Sequence, residues 1–138
     1  MTARRFPGGA GVAQVRIARP TDRLEEVVRF YRDGLGLVEL GRFEGHAGFD
    51  GVMLGLPDAS VHLEFTRHEG GSPGPAPSRD NLLVLYVPDA GELAAWRDHM
   101  IAAGHEPVAA ENPYWDLRGV TFEDPDGWRI VLHGTAGI

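Results

Sequence analysis

Apolar and polar residues alternate from Gln14 to Arg19, with Val15 and Ile17 on one face and Gln14 and Arg16 on the other. That period predicts a half-buried strand, which Pro20 breaks. Asp22 with Glu25 three residues on has the pattern of a helix-opening capping box. Leu24, Val27, Val28, Tyr31 and Leu35 follow at helical spacing, and Gly34 and Gly36 close the segment. Three strand-like stretches come next, at Leu37 to Phe43, Phe49 to Leu56 and Val61 to Thr66, with a turn at Pro57 and Asp58. The run from Arg67 to Asp80 is rich in Gly, Pro and Ser and predicts a linker.

The second half repeats this order. Leu82 to Val87 predicts a strand and Pro88 ends it, while Asp89 with Glu92 repeats the capping pattern. Leu93, Trp96 and Met100 mark a helix face that Gly104 stops, and Glu106 to Ala110, Leu117 to Glu123 and Trp128 to His133 predict three more strands. Pro20 and Pro88, Gly36 and Gly104, Pro57 and Pro125, and Asp58 and Asp126 all stand 68 residues apart, as do Arg29 and Arg97. Most of these are breakers or turn residues, so a duplicated unit explains them better than chance. The expected organisation is a loose tail over 1–12, a first module over 13–67, a linker over 68–80 and a second module over 81–134. Each module reads strand–helix–strand–strand–strand, an α+β class.

Composition narrows the chemistry. A chain of 138 residues with 43% hydrophobic and 24% charged positions suits one compact domain. Cysteine is absent, which excludes disulfides, thiol nucleophiles and Cys-based zinc sites. The net charge of −7 disfavours nucleic acid and anionic membranes as partners. No apolar run approaches the roughly 20 residues of a membrane helix, and the first dozen residues lack a signal-peptide core. A cytoplasmic protein is the expectation.

Three stretches carry a family resemblance: Phe30 to Leu37 (FYRDGLGL), Val87-Pro88-Asp89, and Phe122 to Gly127 (FEDPDG). Over about residues 13 to 134 the chain resembles the vicinal oxygen chelate superfamily, which includes glyoxalase I, bleomycin-resistance proteins and extradiol dioxygenases. The resemblance implies two tandem βαβββ modules whose curved sheets surround a cavity, with helices outside, and a homodimer. It also implies a divalent metal (Zn, Ni, Mn or Fe) held by one residue from the first and fourth strand of each module. Carried over, these positions fall on Gln14, Glu64, Leu82 and Val131. Leu82 and Val131 have no donor atom, so the expected state is no standard metal site. A displaced set of Gln14, His62, Glu64 and His133 is the metal-bearing alternative.

Two functional readings follow. In the first, the protein binds a small molecule in a cavity between its modules, without a cofactor. Gln14, Arg16, His62 and Glu64 would orient the ligand, and Tyr86, Tyr114 and Trp115 would supply aromatic walls. In the second, it is a divalent-metal-dependent lyase, isomerase or dioxygenase using Glu64 with Gln14 and a displaced histidine. Should catalysis occur, Glu64 and His62 are the candidate acid/base pair, two apart on one strand and so on one face. His46, His68, His99 and His105 are expected at the surface. Trp96 is expected in the core.

Overall fold

The alternating segments assemble into two four-stranded mixed sheets. A computed structural model of the chain describes residues 6–56 and 60–138; the predicted turn at Pro57 and Asp58 lies outside the described residues, as does the start of the tail. In the first sheet β1 (Val15–Pro20) runs parallel to β4 (Val61–His68), and β3 (Phe49–Gly55) and β2 (Val38–His46) continue it antiparallel. In the second, β5 (Leu82–Tyr86) lies parallel to β8 (Arg129–His133), followed by β7 (Gly119–Glu123) and β6 (Pro107–Val108). Each sheet is one βαβββ unit, and the fold is α+β. The predicted strand Glu106 to Ala110 shrinks to two residues, because Ala110 N–H turns instead to the carboxylate of Asp116.

The helices show how local chemistry decides boundaries. Asp89 caps α2 (Ala90–Ala102) as its spacing predicts, its side chain accepting from Glu92 N–H at 2.9 Å. Asp22 does not cap α1 (Leu24–Val28). Its two carboxylate oxygens accept from the amide and hydroxyl of Ser72, both at 2.9 Å. Thr21 Oγ1 takes the Arg23 amide in its place. The linker is therefore tied to the first module through Asp22, and to the second through Ala76 N–H, which donates to the Asp126 carbonyl. After α1 the chain widens into a π-helical turn, Arg29–Gly34, in which Leu35 N–H reaches back five residues to the Phe30 carbonyl. The extra residue per turn brings Phe30 onto the apolar face beside Tyr31, and both are buried.

One core joins the two modules. Val52, Leu54, Leu63 and Phe65 of the first sheet share a cluster with Phe122, Ile130 and Leu132 of the second, with both helices contributing. Each such fully buried side chain is worth about 1.5–3 kcal/mol relative to exposure. The helices meet at their ends. Phe30 packs edge-on against His105 at 4.8 Å, Trp96 Nε1 donates to the Leu35 carbonyl, and His99 Nε2 donates to the Asp33 carbonyl. His105 is thus part of the joint between modules rather than a surface turn residue. The buried Tyr31 hydroxyl donates to Asp124 Oδ2 at 2.6 Å, across the joint. Asp124 also holds the tight turn before β8, its Oδ1 accepting from the Asp126 and Trp128 amides.

Candidate functional site

Strand alternation gives each sheet a face against the helices and an open face. On the first sheet Ile17, Leu63 and Leu54 align toward the core, so Arg16, His62 and Glu64 point the other way. Arg16 and His62 are register partners on β1 and β4. Arg16 Nε donates to His62 Nε2 at 2.7 Å, and Arg16 Nη1 donates to Glu64 Oε2 at 3.3 Å. The Arg16 side chain is half exposed and that of Glu64 only 16% exposed. His62 is buried, and its Nδ1 has no hydrogen-bond partner among the described residues. Three of the residues singled out from sequence therefore form one cluster. Gln14 precedes β1 and is exposed.

The open face of the second sheet is covered by its own chain. Val131 and Thr121 are fully buried there, and Arg129 donates through Nη1 to the Ala109 carbonyl. The covering segment includes a 3-10 turn at Pro113–Asp116, capped by Asn112, whose side chain accepts from the Tyr114 amide. This turn lays Tyr114 parallel to the His133 ring at 5.9 Å and Trp115 edge-on to it at 5.4 Å, while Tyr86 meets the same ring at 5.7 Å. Thr135 Oγ1 sits 2.9 Å from His133 Nδ1. The predicted aromatic residues thus gather around His133, and the predicted polar residues gather on the other sheet.

The register also shows which positions of the two modules correspond. Thr21 N–H donates to the Thr66 carbonyl where β1 leaves β4, and Val87 N–H donates to the His133 carbonyl where β5 leaves β8. Counting back from these equivalent joints pairs Arg16 with Leu82, His62 with Arg129, and Glu64 with Val131. The offset between the modules is therefore 66 residues on the first strand and 67 on the fourth, against 68 between Gly36 and Gly104. The counterpart of Leu82 is Arg16, not Gln14, which corrects the first-strand position inferred from the uniform spacing of prolines and glycines.

A metal does not fit this donor set. The four corresponding positions hold a guanidinium, a carboxylate and two hydrocarbon side chains, and the guanidinium already engages the carboxylate. The displaced set is not assembled either: His133 belongs to the aromatic group on the second sheet, apart from His62 and Glu64. Among the described residues no three His, Asp or Glu come together as a metal-holding group.

A cleft of about 840 Å3 opens between the modules along the outer edges of β1 and β5. Val15, Ile17 and Val61 line it from the first module, and Leu83, Leu85, Tyr86 and Trp96 from the second, with Glu92 at its polar side. Trp96 serves both core and cleft, since its indole nitrogen is fixed on the Leu35 carbonyl. Sequence periodicity missed this wall. Val15, Ile17, Leu83 and Leu85 have the core-facing parity, and only the edge position of both strands leaves them partly uncovered.

The family described as the YycE-like N-terminal domain matches residues 15–66, and the YycE-like C-terminal domain matches residues 80–134. The chain is 57% identical over 126 residues to the protein YycE of Bacillus subtilis (strain 168), covering 91% of each. A crystal structure of a Bacillus subtilis YycE protein, described as of unknown function and of glyoxalase or fosfomycin-resistance type, matches with a TM-score of 0.89 and 55% identity over 98% of each chain. At fold level, glyoxalase I of Leishmania major matches with a TM-score of 0.68 and 18% identity, over 91% of this chain and 88% of that one. TnmS3, an antibiotic-binding protein of Streptomyces sp. CB03234, matches with a TM-score of 0.65 and 22% identity, over 90% and 97%.

Proposed function

We propose that this chain, which belongs to the YycE-like family of the vicinal oxygen chelate superfamily, binds a small organic molecule in the cleft between its modules and acts by holding it. The cleft carries the reading. Its volume of about 840 Å3 falls within the roughly 300–1,000 Å3 of ordinary ligand pockets, and its walls are mostly apolar, with both aromatic residues, Tyr86 and Trp96, on the second module's side. Tyr86 and Trp96 would bury a flat or branched hydrocarbon body at about 25 cal/mol per Å2 of apolar area removed from water. The donor set on the strands supports holding rather than metal chemistry, since Leu82 and Val131 supply no donor and Arg16 repels a cation. TnmS3 shares the fold and binds an antibiotic, which supports the same class of ligand by analogy of fold.

The reading includes a homodimer working in the cytoplasm. Among the described residues β1 pairs only with β4 and β5 only with β8, so each has an open edge, where Val15 and Tyr86 are each 45% exposed. A cysteine-free chain gains nothing from an oxidising compartment.

Titration with the fluorescent probe 8-anilinonaphthalene-1-sulfonate tests the cleft. The expected result is saturable binding, one probe per chain, lost in Val15→Glu, which places a charge on an exposed edge-strand position without disturbing the core. Weak, non-saturating fluorescence that Val15→Glu leaves unchanged would overturn the proposal.

A further inference from the structure

We propose that the molecule held in the cleft is a hydrophobic amine, bound as its ammonium ion, with Glu92 as the counter-charge. The inference rests on the cleft reading above and adds to it the charge and head group of the ligand.

Charge along the cleft has one sign. Among the described residues that line it, Glu92 is the only charged one; no arginine or histidine joins it. The backbone amide of Glu92 is engaged by the Asp89 side chain, while its carboxylate has no partner among the described residues. Carboxylates elsewhere are tied down, as Glu39 is to Arg42 and Asp50 to Arg67. Asp89 stands at the same helix end, so the two carboxylates outweigh the positive pole of the α2 dipole. Glu92 is exposed, and water weakens its pull. Apolar burial therefore holds the ligand, and Glu92 selects its charge.

The aromatic walls favour the same sign. Glu92 and Trp96 are four residues apart on α2, so they stand one turn apart on one side of the helix. The indole is fixed through its nitrogen on the Leu35 carbonyl. Tyr86 lines the cleft from β5 and is 45% exposed. The negative face of either ring attracts a cation and disfavours an anion.

The strand edge supplies acceptors for the ammonium hydrogens. Every residue from Leu83 to Val87 lines the cleft, so the wall is the backbone edge of β5 rather than one side-chain face. Val87 N–H donates to the His133 carbonyl on β8. By alternation, Val84 and Tyr86 turn their backbone groups away from β8, toward the edge that has no strand partner among the described residues. Two carbonyls thus face the cleft. An ammonium has three N–H groups to divide between them and Glu92. The amides of the same two residues would serve an anion, so Glu92 is what decides between the signs.

Calorimetric titration of the full chain at neutral pH with naphthylethylamine, naphthylethanol and naphthylacetate tests this. The three share one hydrocarbon body, and the amine is an ammonium ion there, as lysine is. The expected result is one amine per chain, bound about fivefold or more tighter than the alcohol and tighter still than the acid. Added salt should narrow the margin. Glu92→Gln should bring the ratio of amine to alcohol affinity below about twofold. Glu69→Gln removes the same charge just beyond the far end of β4 and should leave the ratio as it is. Tyr86→Ala should weaken all three compounds. Equal binding of the three, a preference that survives Glu92→Gln, or one lost equally in Glu69→Gln would each overturn the charge assignment and leave the cleft reading standing. Amine binding untouched by Tyr86→Ala would place the amine outside the cleft and overturn the proposal too. If neither the naphthalenes nor the sulfonate probe bind, the cleft reading itself falls and takes the proposal with it. Circular dichroism of Glu92→Gln separates lost selectivity from lost fold.

Discussion

Arg16 lies across the sheet from His62 and donates to its Nε2 at 2.7 Å, so this face of the first module carries a fixed organic cation. The same guanidinium balances Glu64, whose side chain is mostly covered. Removing the arginine leaves that carboxylate and an imidazole nitrogen without their donor. Because Arg16 is half exposed, water replaces part of the loss, and Arg16→Ala should cost about 1 kcal/mol or less. Urea denaturation of the two proteins measures it. A double change, Arg16→Ala with Glu64→Gln, should recover part of the difference.

Tyr31 and Asp124 couple the modules. Burial pushes the Asp124 carboxyl above its usual range, against the opposing hydrogen bonds from Tyr31 and from the Asp126 and Trp128 amides. Burial, reinforced by Asp124, likewise pushes the Tyr31 phenol well above its ordinary value. Tyr31→Phe strands Asp124 Oδ2 in the interior and should destabilise by about 1–3 kcal/mol in chemical denaturation.

The same shift sets a pH dependence. The folded protein binds the Asp124 proton more tightly than the unfolded chain does. Between the ordinary carboxyl value and the raised one, the folded state holds more protons, so this group's contribution to stability falls as pH rises through that window. Asp124→Asn should remove that slope. Denaturation midpoints of both proteins from pH 4 upward provide the comparison.

His105 acts in the opposite direction. Its ring lies against Phe30 at the joint, and burial lowers its pKa below the ordinary histidine value. Stability from this group is complete above pH about 6.5 and is lost as pH falls toward the lowered folded value. His105→Gln should flatten the loss of melting temperature on acidification below pH about 6.5.

The two capping patterns separate in a stability measurement. Asp89→Ala removes a side-chain bond to the Glu92 amide and should cost about 1 kcal/mol. Asp22→Ala releases Ser72 rather than a helix end. Its effect should appear as faster amide exchange over the linker, with helix α1 protected as before.

Those aspartates also show how far the sequence is legible. Both have the same spacing to a glutamate, and only Asp89 caps, because Asp22 is drawn to a residue 50 positions away. Strand order and core faces follow from alternation and punctuation, which are local. The π turn at Arg29–Gly34 is not, since it depends on Phe30 and Tyr31 both finding a buried environment. At the site, His62 and Glu64 are legible as neighbours because they share a strand face. Arg16 is legible as a candidate on the polar face of the first strand, but its pairing with His62 and Glu64 and its correspondence with Leu82 need the strand register and the hydrogen bonds at Thr21 and Val87. The cleft was hidden because its walls carry core parity on strands whose edge position is a tertiary fact. His133 stands on the second sheet among Tyr86, Tyr114 and Trp115, a placement that no periodicity announces.

The most direct measurement of the central claim is metal content after loading. The chain is purified without chelators, incubated separately with Zn, Ni, Mn and Fe(II), desalted, and analysed by elemental mass spectrometry alongside Glu64→Ala. Holding a small molecule without metal chemistry predicts far less than one metal per chain in every case, with no difference between the two proteins. One tightly held metal per chain, lost in Glu64→Ala, would contradict it.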